Sequence, residues 1–216
     1  SPSWRARIVR QFTRSGYRSA RAQAGIWQRK FTFRPPRSFN RISPEAAEAC
    51  GLSAGRNWRP ASSRHKACWT RTLKPRERER EILTASSAPG ISRHHWGTDF
   101  DIFGLNPRQF REHRPLYDEY LWMSTNARAH GFFQTFIHHE AHEGPAYMEE
   151  RWHWSYYPIA SALHRWAEAH EDELAAALNT LWTQIEQRWG GRTPYFDYVR
   201  ANWKSYMFNV AALPKS

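Results

Sequence analysis

The 216-residue chain is long enough to bury a core without help from staples, and its 12 Trp, 12 Phe and 9 Tyr supply bulky material for one. Its formal charge of +12 is lopsided: residues 1–80 hold 20 Lys or Arg against 4 Asp or Glu, the remainder 12 against 16. A basic half of this kind attracts anionic polymers, but no nucleic-acid-binding motif accompanies it and no apolar run approaches the ~20 residues of a membrane span.

Ser1-Pro2-Ser3-Trp4-Arg5 does not open a signal peptide, so any export sequence is expected to be removed or absent. Ile8 to Thr13 predicts a short strand feeding Ser15-Gly16-Tyr17-Arg18-Ser19, and the residues from Gln23 to Lys30 predict a helix. From about Phe33 to Lys74 the chain is rich in Pro, Arg and Ser and reads as a long insertion. Cys50 and Cys68 fall inside it. In an oxidising compartment they would close a disulfide contributing about 3 kcal/mol through loop entropy; in a cytosol they would stay reduced. Pro75 to Thr84 alternates Arg and Glu ahead of apolar residues, the pattern of a short exposed helix.

Pro89-Gly90 interrupts the chain before Ser92-Arg93-His94-His95-Trp96-Gly97-Thr98-Asp99-Phe100-Asp101. His94 and Asp101 are an odd number of residues apart, which puts them on opposite faces of a straight strand. The chain must therefore turn between them, and Gly97 is where it can. Pro115 to His130 predicts a helix on the core. His138-His139-Glu140-Ala141-His142-Glu143 offers a rival cluster, but the metalloprotease helix motif needs a second histidine at i+4 from one followed by glutamate. Glu143 stands there instead, and Gly144-Pro145 marks a loop near the cleft. Glu150 and His153 are also an odd step apart, so a helical turn or a bent entry to a strand is expected. Ile159, Leu163, Trp166, Leu174, Leu178, Leu181 and Ile185 then recur at helical period as far as Gly190-Gly191, and Phe196, Val199, Trp203 and Met207 predict a further core-packing helix.

The segments around His94 and His153 offer two imidazoles and one carboxylate to a metal, with Glu150 close to the last. Three protein ligands with a fourth position left for water distinguish a catalytic zinc from a structural one. The pattern S-x-H-x-x-G-x-[AD]-x-D followed by E-x-x-H-W, with Ser15-Gly16-Tyr17-Arg18-Ser19 and Gln23 upstream, resembles the zinc D-Ala-D-Ala carboxypeptidases of the VanY type. That group includes VanX-type dipeptidases and is related in fold to hedgehog. Trp122, Asn126-Ala127, Gly131-Phe132 and Thr135-Phe136 resemble the segment this family places ahead of its E-x-x-H, so the likeness runs from about Ile8 to Tyr156.

The resemblance implies an α+β fold with a small, mainly antiparallel sheet carrying the zinc site and helices around it. Residues 1–157 would form the peptidase domain with its basic insertion, and 158–216 a helical extension packed on the core. One Zn2+ would be held by His94, Asp101 and His153, lowering the pKa of bound water and polarising a carbonyl. Glu150 would serve as general base and then proton donor to the leaving amine. Arg18 would face charge growing on the scissile carbonyl, worth roughly 3 to 4 kcal/mol by analogy with one oxyanion donor. Ser92, Gln23 and Asp99 are expected near substrate, although a structural hydrogen bond suits Gln23 equally. Asp99 stands where the family usually has a small residue, and either binds a substrate amine or orients a neighbour. His95 matches no ligand position, and Arg151 replaces a proline often found after the glutamate.

The substrate implied is the terminal D-Ala-D-Ala bond of peptidoglycan stem peptides, its free carboxylate taken by Arg18, Arg93 or an arginine of the insertion. An endopeptidase of the same fold is the nearest alternative. A zinc-containing module that only binds anionic polymer is another, although a structural metal needs neither Glu150 nor Arg18. Stem peptides, and through the basic half anionic wall polymers, are the expected partners. A secreted, periplasmic or wall-associated location goes with them.

Overall fold

The computed structural model describes residues 23–31, 44–51, 63–84, 86–102, 104–137, 145–191 and 194–211. The strand expected at Ile8 to Thr13, Arg18 with its motif, and the His138 to His142 cluster lie outside these. The described residues divide into two compact units whose segments interleave along the chain. One takes in those from Ile91 to Ala175 and from Lys204 onward; the other takes in those up to Gly90 and from Ala176 to Trp203.

The unit that begins first in sequence is helical. Residues 23–31 (α1) form a helix as expected, followed by α2 (Pro44–Ala49), α3 (Ser63–Ala67) and a π-helical turn at Cys68–Thr72. Cys50 and Cys68 are bonded, with their Cα atoms 5.4 Å apart. Buried Trp27, Trp69 and Trp182 each give their indole N–H to a backbone carbonyl: Tyr195 at 3.2 Å, Lys30 at 2.9 Å and Pro89 at 2.8 Å. A large ring can be buried at little cost only when its one polar atom finds such a partner. Phe196 stacks with Trp27 and Trp182 at centroid distances of 5.8 and 5.9 Å.

Helix α4 (Pro75–Leu83) departs from the exposed helix the sequence suggests. Its charge alternation reads as a solvated face, yet Glu79, Glu81, Ile82 and Leu83 are all buried. Glu79 is there because its carboxylate caps the first turn of a distant helix, accepting from the backbone N–H of Tyr198 at 2.8 Å and Val199 at 3.0 Å.

The other unit carries the sheet. Strands β1 (Asp99–Asp101), β2 (Phe132–Gln134) and β3 (His153–Tyr156) pair antiparallel in the order β1-β3-β2. The register sets Asp99 opposite Ser155 and Asp101 opposite His153, while Phe132 faces Tyr156. Alternation along each strand then puts Asp99, Asp101, His153 and Ser155 on one face, and Phe100, Trp154, Tyr156, Phe132 and Gln134 on the other. The α+β class and the small antiparallel sheet agree with the expectation.

Helix α5 (Tyr117–Asn126) and a 3-10 turn (Ala127–His130) lead into β2. The expected helix on the core is corrected here: no residue of α5 is buried, and Leu121 and Trp122 are 51% and 54% exposed. Its link to the sheet is Tyr120, whose hydroxyl donates to Gln134 at 3.1 Å. Gly131 ends the turn at φ 84°, and a Cβ there would lie 2.8 Å from the Tyr156 ring. Only glycine meets both conditions.

After β3 come α6 (Tyr157–Ala169), α7 (Glu171–Arg188) and α8 (Asp197–Phe208). The apolar period that runs on to Ile185 is interrupted at His170, whose φ of −127° and ψ of 33° are not helical. The C-terminal part of α8 and the residues after it belong with the sheet, since Ala211 donates its N–H to the Thr135 carbonyl at 2.9 Å.

Candidate metal centre

Four residues meet on the polar face of the sheet. A 3-10 turn (Arg93–Trp96) carries His94 and is closed by Gly97 at φ 73°, the left-handed conformation that the His94 to Asp101 spacing requires. The chain then enters β1 and delivers Asp101. From the other side, Glu150 N–H donates to Phe136 O at 3.0 Å, and His153 N–H folds back onto Glu150 O at 3.1 Å, so a tight turn precedes β3. This is the bent strand entry expected from the odd step, and it brings the Glu150 carboxylate to 3.5 Å from His153 Nδ1.

His94, Asp101 and His153 each offer an atom within 4.8 Å of the others, and among the described residues they form the group able to hold a metal ion. The hydrogen bonds around them fix which ring nitrogen faces inward. His94 Nδ1 lies 3.1 Å from the Asp99 carbonyl. A carbonyl can only accept, so Nδ1 carries the proton and Nε2 faces Asp101, 3.5 Å away. His153 Nε2 lies 3.0 Å from Asp99 Oδ1, which leaves Nδ1 inward. That buried nitrogen has no hydrogen-bond partner; it stands 3.2 Å from Asp101 Oδ1 without the geometry for one. Two inward lone pairs and a carboxylate fit a cation with mixed nitrogen and oxygen preference.

In the protein alone the same charges favour protons. Burial would lower the His153 pKa, but Asp101, Asp99 and Glu150 outweigh it and lift it to about 9. A proton then occupies the direction that a metal would take. The hydrogen bond with Asp101 raises His94 against its desolvation. Burial opposes ionisation of Asp101, yet His153 and His94 hold it well below the carboxylate range. Asp99 is also held down, to about 2: burial pushes it up, but the bond from His153 and the charges of Arg93 and His153 prevail. Glu150 moves the other way, to about 7, through burial and the charge of Asp101, partly offset by His153.

Of the residues expected near substrate, Asp99 is corrected. Its side chain has no exposed surface. Oδ1 meets Arg93, His153 and Thr135, and Oδ2 meets Thr98 and Ser155. No room remains for a substrate amine, and the residue orients a neighbour instead. Arg93, one of the arginines offered for the substrate carboxylate, is likewise enclosed, its Nε 3.0 Å from Asp99 and its guanidinium 4.1 Å over Trp96. Ser92 is buried just ahead of His94. Gln23 belongs to the helical unit, where Nε2 donates to Ser87 O at 3.1 Å and Oε1 is buried without a partner. His95 is buried too.

Sequence reasoning missed Thr98, Thr135, Ser155 and His164 around this pair. One signal was available: an aspartate where the motif usually has a small residue demands a cation and hydroxyls to receive it.

Sheet, turn and donor set together define an α+β protein with a His/Asp/His group able to hold a cation. A sequence profile of the VanY family, D-alanyl-D-alanine carboxypeptidase, matches residues 4–159, and the chain belongs to that family. No curated protein and no solved structure matches it. Family membership makes it a peptidase with peptidoglycan as the fitting substrate, and the family is metal-dependent.

Proposed function

We propose that the chain is a zinc D,D-carboxypeptidase that removes the terminal D-Ala of peptidoglycan stem peptides. The observation carrying this reading is the convergence of His94, Asp101 and His153 within 4.8 Å, with the Glu150 carboxylate alongside. Two nitrogens and an oxygen suit zinc with a position left open for chemistry. Bound there, zinc supplies Lewis acidity toward water and the scissile carbonyl.

Glu150 Oε2, 3.5 Å from His153 Nδ1, takes a proton from the attacking water and passes it to the leaving amine nitrogen. Arg18 is assigned by its motif to the charge growing on the carbonyl oxygen. Ser92 keeps its assignment to a substrate contact on the same basis, while Gln23 takes the structural role, donating to Ser87 O. The Cys50 to Cys68 bond supports work in an oxidising place: secreted, periplasmic or at the wall. No helix among the described residues is long and apolar enough to cross a membrane.

Mass spectrometry after incubating the zinc-loaded protein with an uncross-linked pentapeptide stem tests the reading. Free D-Ala is expected, with little release when the terminal carboxylate is amidated. Equal cleavage of the amidated peptide, or products cut inside the stem, would make the enzyme an endopeptidase. Zinc uptake without turnover would make it a binding module.

A further inference from the structure

We propose that the buried Arg93–Asp99 pair positions the metal centre, Asp99 fixing both imidazoles so that His94 Nε2 and His153 Nδ1 are left for the ion. The proposal rests on the metal reading above and assigns a role to residues that contact no substrate.

Asp99 acts through two different groups. Its carboxylate Oδ1 receives His153 Nε2 at 3.0 Å, and its backbone carbonyl receives His94 Nδ1 at 3.1 Å. One residue thus decides the tautomer of both rings. It sits two positions before Asp101 on the same strand and the same face, so β1 carries a ligand and the anchor of the other two.

The anchor is itself immobilised. Arg93 Nε lies 3.0 Å from Oδ1, while Thr98 and Ser155 hydroxyls donate to Oδ2 at 2.7 and 2.9 Å. A carboxylate held on both oxygens cannot rotate away from His153. Arg93 is fixed in turn: its guanidinium lies over Trp96, reaches Ser155 Oγ at 3.4 Å, and has Nη1 3.5 Å from His164 Nδ1. Neither side chain has exposed surface. Burying two charges is costly, and such a pair often adds nothing to stability over apolar replacements. Retention of metal-ligand orientation gives it a use that stability does not.

The competing role for Asp99 is merely to neutralise Arg93 so that the sheet folds. Two variants separate the roles. Asp99→Asn keeps the shape and an acceptor for His153 but removes the charge. The double variant Arg93→Met with Asp99→Ala removes both charges, so neither is left alone in the interior. For each, the zinc dissociation constant is measured by chelator competition, with the melting temperature of the metal-free protein and the visible spectrum of the cobalt(II) form.

We expect zinc binding to weaken about 10- to 100-fold in both variants. The cobalt spectrum should shift, and the metal-free melting temperature of the double variant should stay near wild type. Wild-type affinity and spectrum in the double variant would overturn the proposal and leave Asp99 as the counter-ion of Arg93. A wild-type protein that takes up no zinc would overturn the metal reading and the proposal with it.

Discussion

Asp99 in the sheet unit and Glu79 in the helical unit are both buried carboxylates, and the two regions treat them in opposite ways. Asp99 is held down to about 2 and Glu79 is pushed up to about 8. Burial works against the charge at both. Asp99 has a guanidinium and an imidazole on one oxygen and two hydroxyls on the other, and these outweigh desolvation. Glu79 receives two backbone amides at the start of α8, with the charge of Asp197 nearby, and desolvation prevails. Two amide hydrogen bonds, with Arg200 acting only through its charge and not bonded to the carboxylate, do not offset burial there. Glu150 sharpens the lesson, because it lies in the sheet unit yet behaves like Glu79: its pKa rises to about 7.

The largest expected effect follows from that third carboxylate. Glu150→Gln keeps the shape and removes the titration, so turnover should fall by about 10²- to 10⁴-fold while zinc content stays at wild-type level. Peptide hydrolysis and metal analysis on the same preparation check it, and near-normal turnover would remove Glu150 from the chemistry.

Asp99→Ala should break the comparison from the other side. Arg93 would remain buried without its partner, at a cost of about 3 to 5 kcal/mol to the metal-free fold, read from urea unfolding. In the intact protein the depressed pKa of Asp99 contributes stability that is fully present above its unfolded value of 3.8 and is lost as the pH falls toward 2. A loss below about 1 kcal/mol in the variant would mean that water or another group compensates Arg93.

Glu79→Gln gives the smallest effect, visible as a slope. The folded pKa of Glu79 lies above its unfolded value of 4.5, so its contribution is fully present below 4.5 and is lost as the pH rises through about 8. Between those limits wild-type stability should decline by about 1 to 2 kcal/mol, under the ceiling of about 5 kcal/mol that ~1.4 kcal/mol per pKa unit sets over this span. Melting temperatures across that range should flatten in the variant. An unchanged slope would assign it to another group.

The grouping of His94, Asp101 and His153 was legible through the motif, and the odd spacings said only that the chain must bend at both places. Gly97 supplies the left-handed turn between His94 and Asp101, and the turn at Glu150 brings that carboxylate beside His153. What supports these side chains was not legible. Arg93 and Asp99 meet across the Gly97 turn, and nothing in the spacing tells a pair facing inward from two charges facing water. Glu79 is harder still, since the backbone amides it caps belong to a helix 119 residues away. On α5 the error ran the other way: Leu121 and Trp122 mark an apolar stripe, but hydrophobicity makes burial favourable without obliging it.

The C-terminal end of α8 and the residues after it separate shared ancestry from shared stability. The family match ends at residue 159, yet Ala211 bonds to Thr135, Phe208 packs on His164, and Tyr206 packs on Tyr147. A chain cut at the family boundary would keep His94, Asp101, Glu150 and His153 while losing neighbours of the network that orients them. Inherited motif and folding unit are different lengths of this polypeptide. Transplanting the motif-bearing segment alone into another protein should therefore transfer the signature without the metal site.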